Sequence, residues 1–137
     1  MLANGKLILL ELAPADPRSL IQGDYMRLRY KIARGIRNKD NIAKQGYCVV
    51  TLNADNIAER VRLQEDKSPA NEGEYLIKYT ASKRWFFWQI SIGAESFFFQ
   101  EGEAKKYDKA RYGAIKADKE GNSVLFGLYD ENLKLIK

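Results

Sequence analysis

Apolar and polar residues alternate with a period of two along most of this chain, the spacing of strands that bury one face. The pattern is clearest over 25–32. There Met26, Leu28, Tyr30 and Ile32 fall on one side and Tyr25, Arg27, Arg29 and Lys31 on the other. One face is apolar and the other carries cations, as in an antiparallel strand laid on a core. Similar runs cover 6–12, 47–53, 58–63, 74–80, 84–92, 94–99, 112–118, 123–129 and 133–136. In the run 58–63, Val61 and Leu63 oppose Arg60 and Arg62. Turn-forming residues separate the runs: Pro14-Ala15-Asp16-Pro17, Ser68-Pro69-Ala70-Asn71, Glu120-Gly121-Asn122 and Asp130-Glu131-Asn132. The best helix candidate is 103–111, with Ala104, Tyr107 and Ala110 at three-residue spacing, and a second short helix is expected within 38–44. The expected fold is therefore mainly β, an antiparallel sandwich or partly open barrel with one or two short helices. Periodicity alone does not choose between sandwich and barrel.

A length of 137 residues suits a single domain over 1–137. With 45% hydrophobic and 30% charged residues, the chain has the composition of a globular protein and not of a disordered one. Histidine is absent, which removes the usual neutral-pH general base and the commonest metal ligand. The one cysteine, Cys48, stands between Tyr47 and Val49-Val50, where it reads as a small buried strand residue. It leaves no intrachain disulfide and, with no histidine, no plausible zinc site. Neither glycine-rich phosphate-loop spacing occurs, so no metal and no cofactor is expected. No stretch approaches the roughly 20 apolar residues of a membrane span. The apolar start at 7–13 contains Glu11 and lacks the pattern of a signal peptide.

Charge is concentrated in one place. Between Asp24 and Lys44, seven Lys or Arg residues oppose two Asp, a net of +5 that equals the charge of the whole chain. Arg27, Arg29 and Lys31 share one strand face, and Arg34, Arg37, Lys39 and Lys44 follow. Such a face can simply be solvated and protect a strand from unwanted pairing. Its functional alternative is attraction to an anionic surface. No nucleic-acid motif accompanies it, which favours lipid or an acidic protein partner over nucleic acid.

The segment Gly23-Asp24-Tyr25-Met26-Arg27-Leu28-Arg29-Tyr30 fits the signature of the bacterial GDYxxLxY proteins at every fixed position. The lead-in Pro14-Ala15-Asp16-Pro17-Arg18-Ser19-Leu20 and the distant stretch from Gly93 to Glu103 also resemble that family. The resemblance implies no reaction, since the family has no established activity. It implies a domain often tethered to a membrane outside the cytoplasm and, for some members, an accessory of multi-spanning membrane proteins. No stretch of the sequence reads as such a tether. An extracytoplasmic place is expected if a preceding segment was trimmed, and a soluble domain otherwise.

Candidate sites follow from these patterns. Gly23-Asp24 reads as a tight strand entry, or as part of a partner-docking edge formed by Asp24, Tyr25 and Arg27, with Arg29 and Lys31 adding charge to that face. Leu20-Ile21-Gln22-Gly23-Asp24 resembles the Leu-x-x-Gly-Asp turn of signal-peptidase-like serine proteases. The position of their nucleophilic serine is Ala15, however, and Arg18 replaces the expected proline. Glu95, Glu101 and Glu103 are the carboxylates near aromatic residues. Glu101 and Glu103 read as a loop and helix start, and Glu95 as a buried acid bonded to an arginine or to backbone. The aromatic runs Trp85-Phe86-Phe87-Trp88 and Phe97-Phe98-Phe99 suit strands covered on both faces better than a stacking platform. The expected function is a non-enzymatic accessory domain that binds a membrane-associated protein partner, with weak contact to anionic lipid. A β-barrel for a small ligand or oligomer is the alternative, and a hydrolase ranks third.

The missing nucleophile yields the first prediction. A generic peptide or ester substrate should not be turned over by the isolated domain. Turnover that disappears in Ser19→Ala would contradict this reading.

Overall fold

In the computed structural model, residues 5–13, 21–22, 25–36, 42–83, 87–100 and 102–137 are described, with the backbone alone at 21–22. The alternating runs form antiparallel strands: β1 (Lys6–Glu11), β2 (Ile21–Gln22), β3 (Tyr25–Arg27), β4 (Gln45–Leu52), β5 (Ala58–Gln64), β6 (Glu74–Lys83), β7 (Trp88–Ser91), β8 (Ser96–Phe98), β9 (Ala110–Ala117) and β10 (Ser123–Asp130). They make three sheets, in the orders β1-β9-β10, β2-β3-β8 and β5-β4-β6-β7. Two bridges tie β1 to both of the other sheets: Leu9 pairs with Ile57 at the start of β5, and Leu12 pairs with Tyr30 beyond the end of β3. The fold is mainly β, and the inner faces of the sheets pack as a sandwich.

One buried cluster draws on all three sheets. Ile8 and Leu10 come from β1, Met26 from β3, Cys48 and Val50 from β4, Ile77 and Tyr79 from β6, Ile90 from β7, Ile115 from β9 and Leu128 from β10. Strand β4 lies in the middle of its sheet, and Cys48, Val49 and Val50 are fully buried, so this strand is covered on both faces. Burial pushes the Cys48 thiol up to about 12, so it stays protonated and packs as a hydrophobe.

The alternation over 25–32 survives as burial but not as one strand. Met26, Leu28, Tyr30 and Ile32 are buried, whereas Arg27, Arg29 and Lys31 are exposed. Regular pairing, however, stops at Arg27, opposite Ser96 where β8 begins, and residues Lys31–Ala33 tighten into a 3-10 turn. The expected helix over 103–111 is likewise a 3-10 segment, Ala104–Lys109, and Ala110 already belongs to β9. It turns Tyr107 inward against Phe97 and Phe99, with ring centroids 5.0 and 5.6 Å away. No α-helix occurs among the described residues. Most of the second expected helix, 38–44, lies outside them, and 42–44 is not helical. The expected strand at 133–136 reduces to one bridge between Leu135 and Tyr129, following a left-handed turn at Leu133 with φ 62°.

The run 58–63 departs from simple alternation for a geometric reason. Val49 pairs with Arg62 and Val50 with Arg60, so Val61 is an extra, bulged residue. The bulge leaves Val61 exposed and puts Arg60 on the same sheet face as the core residue Val50.

Beyond β5, Arg62 organises the 65–73 connection. Its guanidinium donates to both carboxylate oxygens of Glu74, at 3.0 and 2.8 Å, and to the Pro69 carbonyl at 2.9 Å. The Asn71 amide also donates to Glu74, at 2.9 Å. Arg62, and then Asn71, hold the Glu74 carboxyl down at about 2.

This packing makes stability at two kinds of site predictable. Leu28 is 1% exposed, so Leu28→Ala should destabilise the fold by about 2–5 kcal/mol. Arg29→Ala, at an exposed position, should change stability by about 0.5 kcal/mol or less. Urea titrations compare the two, and equal shifts would count against the assignment. For Glu74 the folded-state pKa lies below its ordinary 4.5, so its ionised form stabilises the fold above that value. That contribution should disappear as pH falls from 4.5 through about 2. In thermal melts, the wild type should exceed Glu74→Gln near neutral pH, and the gap should narrow across that window.

Candidate functional site

Residues 27–36 leave β3 and turn back across the edge of β7. Three hydrogen bonds pin them there. The Leu28 amide donates to the Glu95 carbonyl at 2.6 Å, the Tyr30 hydroxyl to the Ala94 carbonyl at 2.5 Å, and the Trp88 amide to the Ile36 carbonyl at 3.0 Å. Burial, and then the nearby Glu95 charge, raise the Tyr30 phenol well above its ordinary value and keep it a donor. Arg60, set inward by the β5 bulge, donates one nitrogen to the carbonyls of Ile32 and Arg34 at 2.7 and 2.8 Å. Gly35 completes the bend at φ 80°, a conformation that suits glycine.

Between this segment and β7 lies a cleft of about 680 Å³. Arg27, Arg29 and Arg34 are among its lining residues, together with Phe87, Trp88 and Glu95. None of the three guanidiniums has an ion-pair or side-chain hydrogen-bond partner among the described residues. Phe87 is 52% exposed, and Lys83 stands 5.9 Å from the centre of the Trp88 ring. The Glu95 carboxylate is already engaged. It accepts from the Ser91 hydroxyl at 2.9 Å and from the amides of Ile92 and Gly93 at 2.8 and 3.0 Å. Of the two roles expected for Glu95, the structure supports the bond to backbone and not the bond to an arginine. The cleft thus combines unspent cationic donors with open aromatic surface, groups whose chemistry complements an anion carrying an apolar group.

The sequence-derived site is only partly assembled here. Arg27 and Arg29 enter the cleft lining, but Tyr25 and Lys31 do not. Tyr25 instead stands beside Phe98, with ring centroids 5.6 Å apart. Lys31 is ion-paired with Glu11 at 2.7 Å, so its charge is partly neutralised. Asp24 and Gly23 lie outside the described residues, as do Ala15, Arg18, Ser19, Trp85, Phe86 and Glu101. Glu103 pairs with Lys106 at 3.1 Å, away from the cleft. Arg34 and Arg60 are site residues that sequence reasoning did not select. The basic run pointed to Arg34, while Arg60 becomes visible only through the bulge. No group of three or more metal-ligating side chains occurs among the described residues. No helix among them is long and apolar enough to cross a membrane.

A family model described as GDYXXLXY protein matches residues 1–128. The chain belongs to the GDYXXLXY family. No curated protein and no solved structure matches it. Within this GDYXXLXY protein two of the signature's fixed positions serve the fold: Leu28 and Tyr30 are core residues, 1% and 2% exposed. Arg27 and Arg29 occupy unfixed positions of the same signature. The motif therefore positions the cleft wall, while residues it leaves open supply the wall's charge.

Proposed function

We propose that this GDYXXLXY protein is a non-enzymatic accessory domain whose cleft receives an acidic segment of a protein partner. The reading is carried by the guanidiniums of Arg27, Arg29 and Arg34, unpartnered among the described residues, which line the cleft together with exposed Phe87 and half-buried Trp88. Arginine binds carboxylates through paired donors, and Arg and aromatic residues are the usual anchors of interfaces. An acidic segment with an apolar side chain satisfies both halves of the cleft. Glu95, the one carboxylate among the described lining residues, is occupied by Ser91, Ile92 and Gly93, which makes it a scaffold element and a poor candidate base. The partner is proposed to be membrane-associated, in keeping with the cationic surface that borders the cleft.

A second reading is a small anionic ligand. The cleft volume of about 680 Å³ falls within the ordinary range for such pockets.

Fluorescence anisotropy with a labelled peptide of alternating Glu and Leu tests the leading reading. The wild type should bind it and ignore the Gln-for-Glu counterpart. Arg34→Gln should weaken binding by about tenfold, the value of a hydrogen bond to a charged group, and Phe87→Ala should also weaken it. Equal binding of the acidic and neutral peptides would sink the proposal. A small aromatic acid that binds the cleft more tightly than the peptide would move the assignment to the ligand reading.

A further inference from the structure

The outward side of the β3-β8 pair adjoins the cleft and shares Arg27 with its lining, and it sets exposed aromatic rings beside cations. In β3 and β8, Tyr25 lies opposite Phe98 and Arg27 opposite Ser96, so these four residues project from the same side. Their neighbours in the strands, Met26 and Phe97, point the other way into the core cluster or against it. Phe98 is 70% exposed, the most exposed large hydrophobic residue described, and Tyr25 stacks beside it. Arg29 continues the outward side after Arg27, and neither arginine has an ion-pair partner among the described residues. A single exposed phenylalanine is ordinary on a protein surface; what distinguishes this one is the tyrosine and the two arginines beside it. Together they match an interface that is apolar within and anionic at its rim.

We propose that this face rests on an anionic lipid surface, with Phe98 entering the headgroup boundary and Arg27 and Arg29 pairing with lipid phosphates. Charge complementarity selects the occupant. An apolar protein patch would leave both guanidiniums unsatisfied, a neutral bilayer would take the ring and not the arginines, and an acidic protein segment is the rival that the soluble polyglutamate arm of the test excludes. Lys31 adds less than the arginines, because Glu11 partly neutralises it. Two forces then act together. The electrostatic part is screened beyond about 10 Å at 0.1 M salt, whereas burial of the ring is not. Binding should therefore weaken in salt without vanishing. Arg27 and Arg29 also line the cleft, so vesicles and the cleft peptide should compete for them, whereas Phe98 lies outside the cleft lining and reports on the sheet face alone.

Sedimentation with vesicles of phosphatidylglycerol mixed into phosphatidylcholine, and of phosphatidylcholine alone, tests it on the full chain. The wild type should sediment with the anionic vesicles and far less with the neutral ones. Phe98→Ser should lower the apparent affinity by about tenfold, as expected for an apolar ring no longer buried. Arg27→Gln should lower it by about fivefold, the value of one cation near an anionic surface. Phe126→Ser, an exposed phenylalanine on β10, should leave binding unchanged, and Arg34→Gln should impair the cleft peptide but not the vesicles. Unchanged melting temperatures show that the exposed-site variants remain folded. If the wild type ignores anionic vesicles at low salt, the proposal is overturned. It is overturned equally if Phe98→Ser binds them as well as the wild type does. Binding of soluble polyglutamate through Phe98, with no binding of vesicles, would also refute it.

Discussion

The packing of one tyrosine holds this structure together. Tyr30 joins three elements that are distant in sequence. Its backbone bridges Leu12 beyond β1, its ring lies over Gly113 in β9, and its hydroxyl donates to Ala94 between β7 and β8. The ring fits because Gly113 has no side chain. A Cβ there would approach the Tyr30 hydroxyl oxygen to 2.7 Å and a ring carbon to 2.8 Å, closer than packed atoms tolerate. A buried phenol without a partner would be costly, so the Ala94 carbonyl is as necessary as the gap above Gly113. Two of the three sheets and the start of the cleft wall depend on this arrangement.

The strands are largely legible in the sequence, because alternation reports burial directly. It identifies the buried set Met26, Leu28, Tyr30 and Ile32 even though the chain is not one continuous strand there. Alternation cannot tell a paired strand from an extended segment with the same burial. It also fails at a bulge, where one added residue reverses the facing of everything after it. Arg60 and Val61 lie opposite to the simple pattern for that reason. The helix expected over 103–111 has helical spacing at Ala104, Tyr107 and Ala110, but three-residue spacing fits a 3-10 segment equally well.

The cleft is less legible than the fold. Its cations come from one continuous stretch and stand out in the sequence, whereas its aromatic wall comes from β7, and the juxtaposition depends on three hydrogen bonds between distant segments. Charge counting also makes Arg27, Arg29 and Lys31 equivalent. The structure separates them, because Glu11 reaches Lys31 and leaves the two arginines without an ion-pair partner among the described residues. A run of like charge in sequence thus becomes, in space, a neutralised flank and an open one.

The bulge in β5 has a consequence for how the site tolerates change. Because Arg60 grips the carbonyls of Ile32 and Arg34, it holds backbone and asks nothing of the side chains at those positions. The rim of the cleft is thereby fastened from behind. Residue 34 is free to take other side chains without loosening the loop that carries it, so the frame and the selectivity of the cleft can be altered independently.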